Sequence, residues 1–514
     1  MTATARRPGT RAARRVVVVS NRVPDATGGA QAGGLAIALG DLMQRRGGVW
    51  FGWSGQVSDQ PGVETTTRDG VQYATIDLSA DEYDRYYTSF SNSTLWPLLH
   101  SMPELMSFDR ANAAAYRAVN AKFAAGLVPI LRQTDLVWIH DYHLMSLPAL
   151  LRAQGVTMPV GFFLHVPFPP ADMLAIVPES GALVQDLLAA NLVGFHTAND
   201  RDNFAGAAVR LAGVERVSDS ALLVAGRRVQ LGVFPVEIDA QSFADTAAAA
   251  GHSAETQRLR DSVAGQSLVL GVDRMDPTKG LPQRLAGYQC LLERRPEWRR
   301  RVTFLQIAAQ SRSDVAAYRE LRETIEQEAG HINSALSEPD WTPLRLMARA
   351  GARDTVAGYM RMAHVGLVTP LRDGMNLVAK EFIAAQDPQD PGVLVLSRFA
   401  GAARQLTSAI LVNPHDVDEV ADAIDTALHM SLAERIERWR AGWAVIEDAT
   451  ALGWGRGFLA ALARAAKHGT AVITADAEDP ERSVTLGRMR ASPDPRAADC
   501  PAEAEMTPSS LRVI

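Results

Sequence analysis

One stretch of this chain, Val365-Gly-Leu-Val-Thr-Pro-Leu-Arg-Asp373-Gly-Met-Asn-Leu-Val-Ala-Lys-Glu381, decides the fold. Its first four residues predict a buried strand, an Arg-Asp-Gly loop follows, and a helix is predicted to start at Asn376. A strand that leads through a loop into a helix is the unit of a parallel α/β sheet. Because the first amides of a helix are unpaired and partly positive, the loop is predicted to face an anionic ligand. A solvated turn is the alternative for this loop taken alone.

Asp373 and Glu381 stand in different parts of this unit, one in the loop and one on the helix. We expect them to hold the two ends of an extended ligand. A sugar nucleotide fits this arrangement, with its diphosphate on the helix amides, its sugar hydroxyls near Asp373 and its ribose hydroxyls on Glu381.

The same alternation of short β-branched strands and longer helical patterns runs along the chain. Strands are predicted at residues 16–20, 136–140, 160–165, 231–235, 268–272, 302–307, 365–369 and 393–397. This order predicts an α/β fold with two doubly wound, Rossmann-like domains whose ligands lie at the carboxyl ends of the strands. We expect a disordered basic arm over 1–15, domains over 16–235 and 236–445, a helix over 446–466 that returns to the first domain, and a disordered tail over 467–514.

Composition excludes several classes of protein. The chain has 514 residues, of which 47% are hydrophobic and 21% charged, and no apolar run approaches the ~18 residues that span a bilayer. Its net charge of -6 and pI of about 6.0 argue against a broad nucleic-acid surface. Only two cysteines occur, Cys290 and Cys500, so neither a disulfide framework nor a cysteine metal site is available. We expect a cytoplasmic protein without membrane contact, whose basic arm is solvated or touches an anionic partner.

Four basic residues are predicted at strand ends. Arg22 follows the first strand, ahead of Gly33-Gly34 at a helix start, Arg274 and Lys279 follow the strand over 268–272, and Arg312 follows that over 302–307. Each alone is consistent with a surface turn or a salt bridge, but their common placement favours a shared anionic site. Because the G-x-G-x-x-G and Walker A patterns are absent, NAD-binding and P-loop interpretations lose their usual support.

Histidines and aromatic residues form further clusters. His140-Asp141-Tyr142-His143 and His165 also follow predicted strands, and either isolated structural histidines or a metal site would explain them, although a companion metal ligand is not evident. The segment Tyr86–Pro97 is aromatic and polar without a clean period. A floor for a sugar and ordinary core packing are both open for it.

Together these segments resemble the trehalose-6-phosphate synthases, which are retaining glycosyltransferases of the GT-B fold. Ordered matches run from about residue 16 to 465. The matching segments are Ser20–Arg22, Gly33–Leu35, Trp50–Gly55, Tyr87–Trp96, Trp138–Leu144, Phe162–Pro169, Arg274–Leu281, Gln306–Arg312 and Thr369–Gln386.

The resemblance implies that glucose is transferred from a nucleotide sugar, usually UDP-glucose, to glucose 6-phosphate with retention. The product is α,α-trehalose 6-phosphate. Retention could come from a covalent carboxylate intermediate or from same-face attack, and the resemblance favours the second, in which the leaving diphosphate takes the acceptor's proton. It implies glucose 6-phosphate binding by Arg22, Tyr87, Trp96, Asp141 and Arg312. It implies donor binding by Gly34, His165, Arg274, Lys279, Asp373, Gly374, Met375, Asn376, Leu377 and Glu381, with the catalytic contribution from Arg274, Lys279, His165 and Asp373. No metal or other cofactor is required by this scheme, and we expect a homo-oligomer.

Two departures from the family pattern leave questions open. Pro277 stands where relatives often have an aromatic residue, and the segment Ala348–Asp354 lacks the bulky residue that contacts the base in some relatives. UDP, ADP and GDP donors are therefore all candidates. A sister synthase with another phosphorylated acceptor, such as glycerol 3-phosphate, is one alternative function. A catalytically silent sugar-phosphate sensor is another, although such a chain would be expected to lose charged site residues that are present here.

Overall fold

Four consecutive valines at the start of the first strand are fully buried, as expected for a central strand covered on both faces. The computed structural model that shows this describes residues 14–24, 34–59, 62–312 and 314–468, with the backbone alone for residues 34–38. Most of the predicted basic arm, Gly33 and the tail over 469–514 lie outside the described residues.

The first sheet has ten strands within the described residues, in the order β3-β4-β2-β1-β5-β6-β7-β10-β9-β8. Its central strands from β4 to β10 are parallel, and an antiparallel pairing extends each edge. The strands are β1 (Val16–Arg22), β2 (Gly48–Val57), β3 (Glu64–Arg68), β4 (Val71–Leu78), β5 (Leu136–His140), β6 (Val160–Phe163), β7 (Leu192–Phe195), β8 (Glu215–Ser218), β9 (Ala221–Val224) and β10 (Arg227–Val233).

The second sheet is parallel throughout and has six strands among the described residues, in the order β13-β12-β11-β14-β15-β16. They are β11 (Ser267–Arg274), β12 (Val302–Ala309), β13 (Leu344–Met347), β14 (Val365–Val368), β15 (Val393–Ser397) and β16 (Ile410–Val412). Helices lie between the strands of both sheets. The prediction of two doubly wound α/β domains is therefore confirmed.

Helices connect and cover the two sheets. In the first half they are α1 (Gly34–Arg46), α2 (Ala80–Glu82), the π-helix Tyr83–Leu95, α3 (Trp96–Leu99), α4 (Arg110–Leu127), α5 (Leu147–Ala153), α6 (Ala171–Leu174), α7 (Ser180–Leu187) and α8 (Ala198–Ala212). In the second half they are α9 (Ala240–Ala250), α10 (Ala254–Ser262), α11 (Leu281–Arg294), α12 (Ala316–Leu336), α13 (Arg353–Met362), α14 (Leu377–Ala385), α15 (Val417–His429), α16 (Leu432–Ile446) and α17 (Ala451–His468). Single 3-10 turns lie at Pro103–Leu105, Val128–Ile130, Tyr142–Leu144, Pro277–Lys279, Pro296–Trp298 and Gly401–Arg404.

The last helix, α17, packs on α1 and on the first sheet. Its Phe458 ring stacks on Trp138 with centroids 4.6 Å apart. Gly161 and Gly194 leave the room for this ring, because a Cβ on either would lie within 2.8 Å of its carbon atoms. The helix begins after a short break that follows α16 and ends at His468, two residues beyond the predicted end.

One residue assigned to the disordered arm is ordered. Arg15 forms an ion pair with the fully buried Asp135 carboxylate at 2.7 Å and donates a second hydrogen bond to the carbonyl of Ile130 at 2.8 Å. A buried carboxylate needs such a partner, so Arg15 is held in place directly ahead of β1. The composition of the arm gave no sign of this contact.

Candidate active site

The predicted site residues lie at the carboxyl ends of parallel strands from both sheets, and the two sets of loops meet. Asp141 follows β5, Arg274 ends β11 and Asp373 follows β14. Hydrogen bonds between described residues cross from one half to the other: the Arg312 guanidinium donates to the Tyr142 hydroxyl at 3.0 Å, and the Tyr83 hydroxyl donates to Asp314 at 2.9 Å. The cleft between the sheets is thus lined from both sides.

The loop after β14 is built around Asp373. Its carboxylate accepts hydrogen bonds from the Lys279 ammonium and, at 3.1 Å, from the Asn376 side-chain amide. Burial by itself would raise the pKa of Asp373, but the Lys279 charge and hydrogen bond, with smaller effects of His100 and Arg274, lower it. Asp373 therefore carries a full negative charge, held in one orientation.

Residues Gly374 to Leu377 lead into α14. Asn376 adopts a left-handed conformation (φ 74°), and its side chain turns to Asp373 instead of capping the helix. The first amides of α14 consequently have no side-chain cap, which leaves them free for an anion. Gly374 packs against the carbonyl oxygen of His165, where a Cβ would come within 2.3 Å, so the two halves touch at a position that admits only glycine.

Glu381 lies one turn into α14 and is half-buried. No hydrogen bond to another described residue occupies its carboxylate. Burial raises its pKa, and the charge of Arg353 at the start of α13 opposes this rise. A shielded carboxylate of this kind can accept hydrogen bonds from a pair of hydroxyls.

Arg274 and Arg312 converge on Trp96. Their guanidinium carbons lie 5.9 Å and 3.9 Å from the centre of the indole ring. Both also approach the fully buried Asp276 carboxylate, at 3.5 Å and 4.0 Å respectively. Burial would raise the pKa of Asp276, but the combined charges of Arg274, Arg312 and Lys279 lower it.

Sequence reasoning missed the role of Asp276 as common counter-ion, although its position between basic residues at a strand end was a usable signal. It also missed Tyr142 and Tyr318, whose hydroxyls accept hydrogen bonds from Arg312 at 3.0 Å and 2.6 Å. Neither tyrosine could have been assigned to Arg312 from its position in the chain.

The four predicted cations divide into groups. Arg274 and Arg312 share Trp96, Lys279 pairs with Asp373, and Arg22 lies apart, with its guanidinium 5.8 Å from the Trp53 ring. An aromatic cluster connects these groups, since Trp53 contacts Tyr87 at 5.9 Å. The Tyr87 ring in turn stacks on His143 at 5.7 Å, and the His143 ring contacts Tyr142 at 4.0 Å.

Asp141 faces these groups from the first half. It has a positive φ of 74°, and its carboxylate accepts a hydrogen bond from the backbone amide of His165 at 3.1 Å. Burial raises the pKa of Asp141 to about 6, although the backbone hydrogen bonds and the charges of Arg312 and Arg274 oppose this shift. Backbone strain and a buried carboxylate both cost stability, and the two together are typical of a residue in a functional site.

His165 is held by another histidine. Its Nε2 lies 3.0 Å from Nδ1 of His140, and its ring also contacts His196. Burial is the main cause that lowers the pKa of all three, to about 3 for His140 and His196 and well below the usual range for His165. All three imidazoles are therefore neutral at pH 7, so His165 can serve as a hydrogen-bonding group but not as a charge.

Cavities adjoin the site on both sides. One of about 150 Å³ lies beside Trp96 and is otherwise lined mostly by apolar groups, including Pro277 and Val315. Another, of about 250 Å³, lies beside Asp373 and is lined by Thr197 of the first half and Arg404 of the second. Both are formed by the two halves together.

The structure also bears on the predicted donor contact of Gly34, on metal binding and on membrane spanning. The backbone of Gly34 begins α1, and its partner Gly33 lies outside the described residues. Over the described ranges, no group of three or more His, Cys, Asp or Glu side chains is arranged to hold a metal ion. None of the described helices is both long and apolar enough to cross a lipid bilayer.

Comparison with known proteins gives one consistent family. The family model of Glycosyltransferase family 20 matches residues 14–464. The trehalose-6-phosphate synthase of Sinorhizobium fredii is 43% identical over 451 residues, which cover 87% of this chain and 97% of that protein. The trehalose-6-phosphate synthase of Escherichia coli O1:K1 is 43% identical over 427 residues, covering 82% of this chain and 90% of the relative.

Solved structures agree with this result. A UDP-forming α,α-trehalose-phosphate synthase from Burkholderia xenovorans in complex with glucose-6-phosphate has a TM-score of 0.84 and 42% identity, over 87% of this chain and 100% of that chain. A trehalose-6-phosphate structure from E. coli bound with UDP-2-fluoro glucose has a TM-score of 0.83 and 41% identity, over 87% of this chain and 98% of that chain.

Proposed function

Because this chain belongs to glycosyltransferase family 20, we propose that it transfers glucose from UDP-glucose to glucose 6-phosphate with retention and forms α,α-trehalose 6-phosphate and UDP. The observation that carries the proposal is the cleft itself. The Lys279–Asp373 pair and the uncapped start of α14 lie on one side of it, and Asp141 and Trp96 lie on the other. Relatives more than 40% identical bind glucose-6-phosphate or a UDP-glucose analogue.

In the proposed complex the nucleotide sugar lies along the start of α14. The first amides of the helix and the charges of Arg274 and Lys279 hold the diphosphate. The glucose hydroxyls meet Asp373 and the neutral His165, and Glu381 accepts hydrogen bonds from the ribose. The backbone of Gly34 approaches the donor from the first half. Lys279, Asp373 and His165 are already oriented by contacts within the protein, so these side chains lose little conformational freedom on binding.

Glucose 6-phosphate occupies the aromatic part of the cleft in this proposal. Its phosphate is bound between Arg312 and Arg22, over Trp96 and Tyr87. Arg22 lies beside Trp53, which contacts Tyr87, and Arg312 lies over Trp96, so both guanidinium groups border the aromatic cluster on which the sugar is proposed to lie. The acceptor hydroxyl then points to Asp141, whose carboxylate can accept its hydrogen bond.

Charge stabilisation and positioning account for the chemical step. The bond from the glucose anomeric carbon to the diphosphate breaks while the acceptor oxygen forms its bond on the same face, and the acceptor's proton passes to the departing diphosphate. Arg274 and Lys279 stabilise the negative charge that develops on that leaving group, which is worth about 10²–10³ in rate for a single well-placed donor. The remaining rate enhancement comes from holding the two substrates in a fixed relative geometry.

We propose that no metal ion is needed for this step, because side-chain cations are placed where the diphosphate charge develops. The test is turnover before and after exhaustive dialysis against a chelator, with added Mg²⁺ as the comparison. Unchanged turnover supports the proposal, and a loss that Mg²⁺ restores contradicts it.

Turnover with defined substrates tests the function as a whole. UDP release is followed from UDP-glucose with glucose 6-phosphate or glycerol 3-phosphate, and the product's linkage is assigned by NMR. We expect trehalose 6-phosphate with an α,α-1,1 linkage. Turnover only with glycerol 3-phosphate would identify a sister synthase, and no turnover with UDP-, ADP- or GDP-glucose would leave a silent sensor. We propose uracil as the base of the donor nucleotide, since similar solved structures are of UDP-forming enzymes.

Two further expectations remain predictions: a cytoplasmic location and a homo-oligomeric state. Light scattering coupled to size-exclusion chromatography determines the second, and a mass equal to one chain of 55.5 kDa would contradict it.

A further inference from the structure

The segment over residues 234–239, called the linker below, connects the two halves, and side chains of α17 and α14 hold it. The indole nitrogen of Trp454 on α17 donates to the carbonyl of Phe234 at 3.2 Å. The ammonium of Lys380 on α14 donates to the carbonyl of Val236 at 2.9 Å. This linker is therefore attached to α14, the helix on which the donor is proposed to bind.

Lys380 also forms an ion pair with Glu237 of the linker, with Nζ and Oε2 2.5 Å apart. The Lys380 side chain is fully buried and that of Glu237 is 9% exposed. The other carboxylate oxygen of Glu237 accepts a hydrogen bond from the side chain of Gln405 at 2.9 Å. Both charges are thus matched, as a buried ion pair requires if it is not to destabilise the fold.

The position of Lys380 on α14 gives the pair a consequence for the site. It directly precedes Glu381 and lies one turn after Leu377, so a shift of Lys380 moves both the proposed ribose contact and the helix start. The Lys380 charge also lowers the pKa of His196, and the ring of His196 lies against Gly374 in the loop after β14. Lys380 therefore connects the linker to α14, next to the proposed ribose contact and one turn from the helix start.

We propose that Lys380 and Glu237 are positioning residues for the nucleotide sugar. Their ion pair fixes the position of α14 relative to the linker, and hence relative to His165 in the first half of the chain. This inference rests on the proposed donor site. The competing explanation is that the pair only stabilises the fold.

A pair of variants separates the two explanations. Lys380→Met leaves the Glu237 carboxylate buried without its partner and is expected to lower Tm by roughly 5 °C or more. The double variant Lys380→Met/Glu237→Gln removes both charges and is expected to recover most of this loss. It does not recover the connection to the linker, so its KM for UDP-glucose and its Kd for UDP should stay about tenfold above wild type, which corresponds to about 1.4 kcal/mol.

Controls cover general destabilisation and poor folding. Arg15→Met breaks another buried ion pair, with Asp135, and should lower Tm without changing the Kd for UDP. Glu237→Gln alone is milder, because it keeps the Lys380 hydrogen bond to Val236, and an increase of about threefold in Kd is expected. In all variants kcat and the KM for glucose 6-phosphate should stay within about twofold of wild type.

The Kd for UDP is measured by calorimetric titration and the KM for UDP-glucose from initial rates, and together they decide between a positioning role and a purely structural one. A double variant with recovered Tm and wild-type Kd, or an equal rise in Kd for Arg15→Met, overturns the positioning role. If Glu237→Gln lowers Tm but leaves Kd unchanged, the role is likewise overturned. Wild-type protein that neither binds UDP nor turns over UDP-glucose would overturn the proposed function and this inference with it.

Discussion

Lys279 and Asp373 form an ion pair across the donor side of the cleft, and their side chains are only 13% and 15% exposed. One residue comes from the loop after β11 and the other from the loop after β14. The ammonium proposed to stabilise the leaving diphosphate is thus held by the carboxylate proposed to bind the transferred glucose. In the proposed complex, this one ion pair contacts both sides of the bond that breaks, with Asp373 on the glucose and Lys279 on the diphosphate.

Removing the Lys279 charge tests this arrangement. Lys279→Met is expected to lower kcat by about 10²–10³, because the leaving group loses a charge that stabilises it in the transition state. The measurement is the single-turnover rate at saturating substrates. Lys122→Met, which breaks an ion pair with Glu82 elsewhere in the first domain, is the matched control and should react normally. A Lys279→Met variant that changes only KM would contradict the catalytic role.

Arg274 and Arg22 should differ in the kinetic constant that they affect. Arg274→Ala is expected to reduce kcat, since Arg274 acts on charge that develops during transfer. Arg22→Ala should instead raise the KM for glucose 6-phosphate, because Arg22 is placed to bind a charge present in the substrate throughout. Initial rates over a matrix of both substrate concentrations separate these effects. Acceptor dependence that is unchanged in Arg22→Ala would count against its phosphate role.

The Tyr142 hydroxyl holds Arg312 in place, and it also donates to Asn92 at 2.8 Å. Tyr142→Phe keeps the ring but loses these bonds, so the KM for glucose 6-phosphate should rise about threefold to tenfold, equivalent to one hydrogen bond. Tyr288→Phe removes another buried hydroxyl, which donates to the carbonyl of Pro343 within the second domain, and should leave this KM unchanged. Equal effects of the two substitutions would show a general loss of stability instead.

The raised pKa of Asp141 predicts a pH-dependent stability difference. With a folded-state pKa of about 6, above the ordinary value of 3.8, the ionised carboxylate opposes folding at pH 7. This penalty disappears as the pH falls through 6 towards 4, because the folded state takes up the proton first. Asp141→Asn should therefore unfold at a higher temperature than wild type at pH 7.5, and the difference should shrink at pH 5. Thermal unfolding at both pH values measures it, and a constant difference would refute the assignment.

Buried parallel strands were the part of the fold most readily predicted. The strand predicted over 393–397 coincides with β15, and that over 365–369 differs from β14 by one residue. Such strands are continuous apolar runs bounded by loops, a pattern that is hard to mistake. The strands β2, β3, β4, β7, β8, β9, β13 and β16 were not predicted. The strands β3 and β8 are fully exposed and so lack an apolar signal, whereas β2 and β7 contain the buried apolar runs Val49–Trp53 and Leu192–Phe195, which were a usable signal.

Within the site, residue types at strand ends could be predicted, but their partners could not. The four cations predicted to share an anionic site have different partners: Arg274 and Arg312 lie by Trp96 and Asp276, Lys279 pairs with Asp373, and Arg22 lies by Trp53. The Arg312 contact with Tyr142 joins residues 170 positions apart, and that of Lys380 with Glu237 joins residues 143 apart. No local pattern links such positions.

By itself, the sequence determined the α/β class, the family resemblance and the charged side chains that follow the strands, because strand and helix periodicity and loop chemistry are local properties of the chain. Only the tertiary structure decided that Lys279 pairs with Asp373, that Asp276 lies between two arginines and that Lys380 anchors the linker. Hydrogen bonds and ion pairs depend on separations of a few ångströms, and these separations arise only when two sheets bring distant loops face to face.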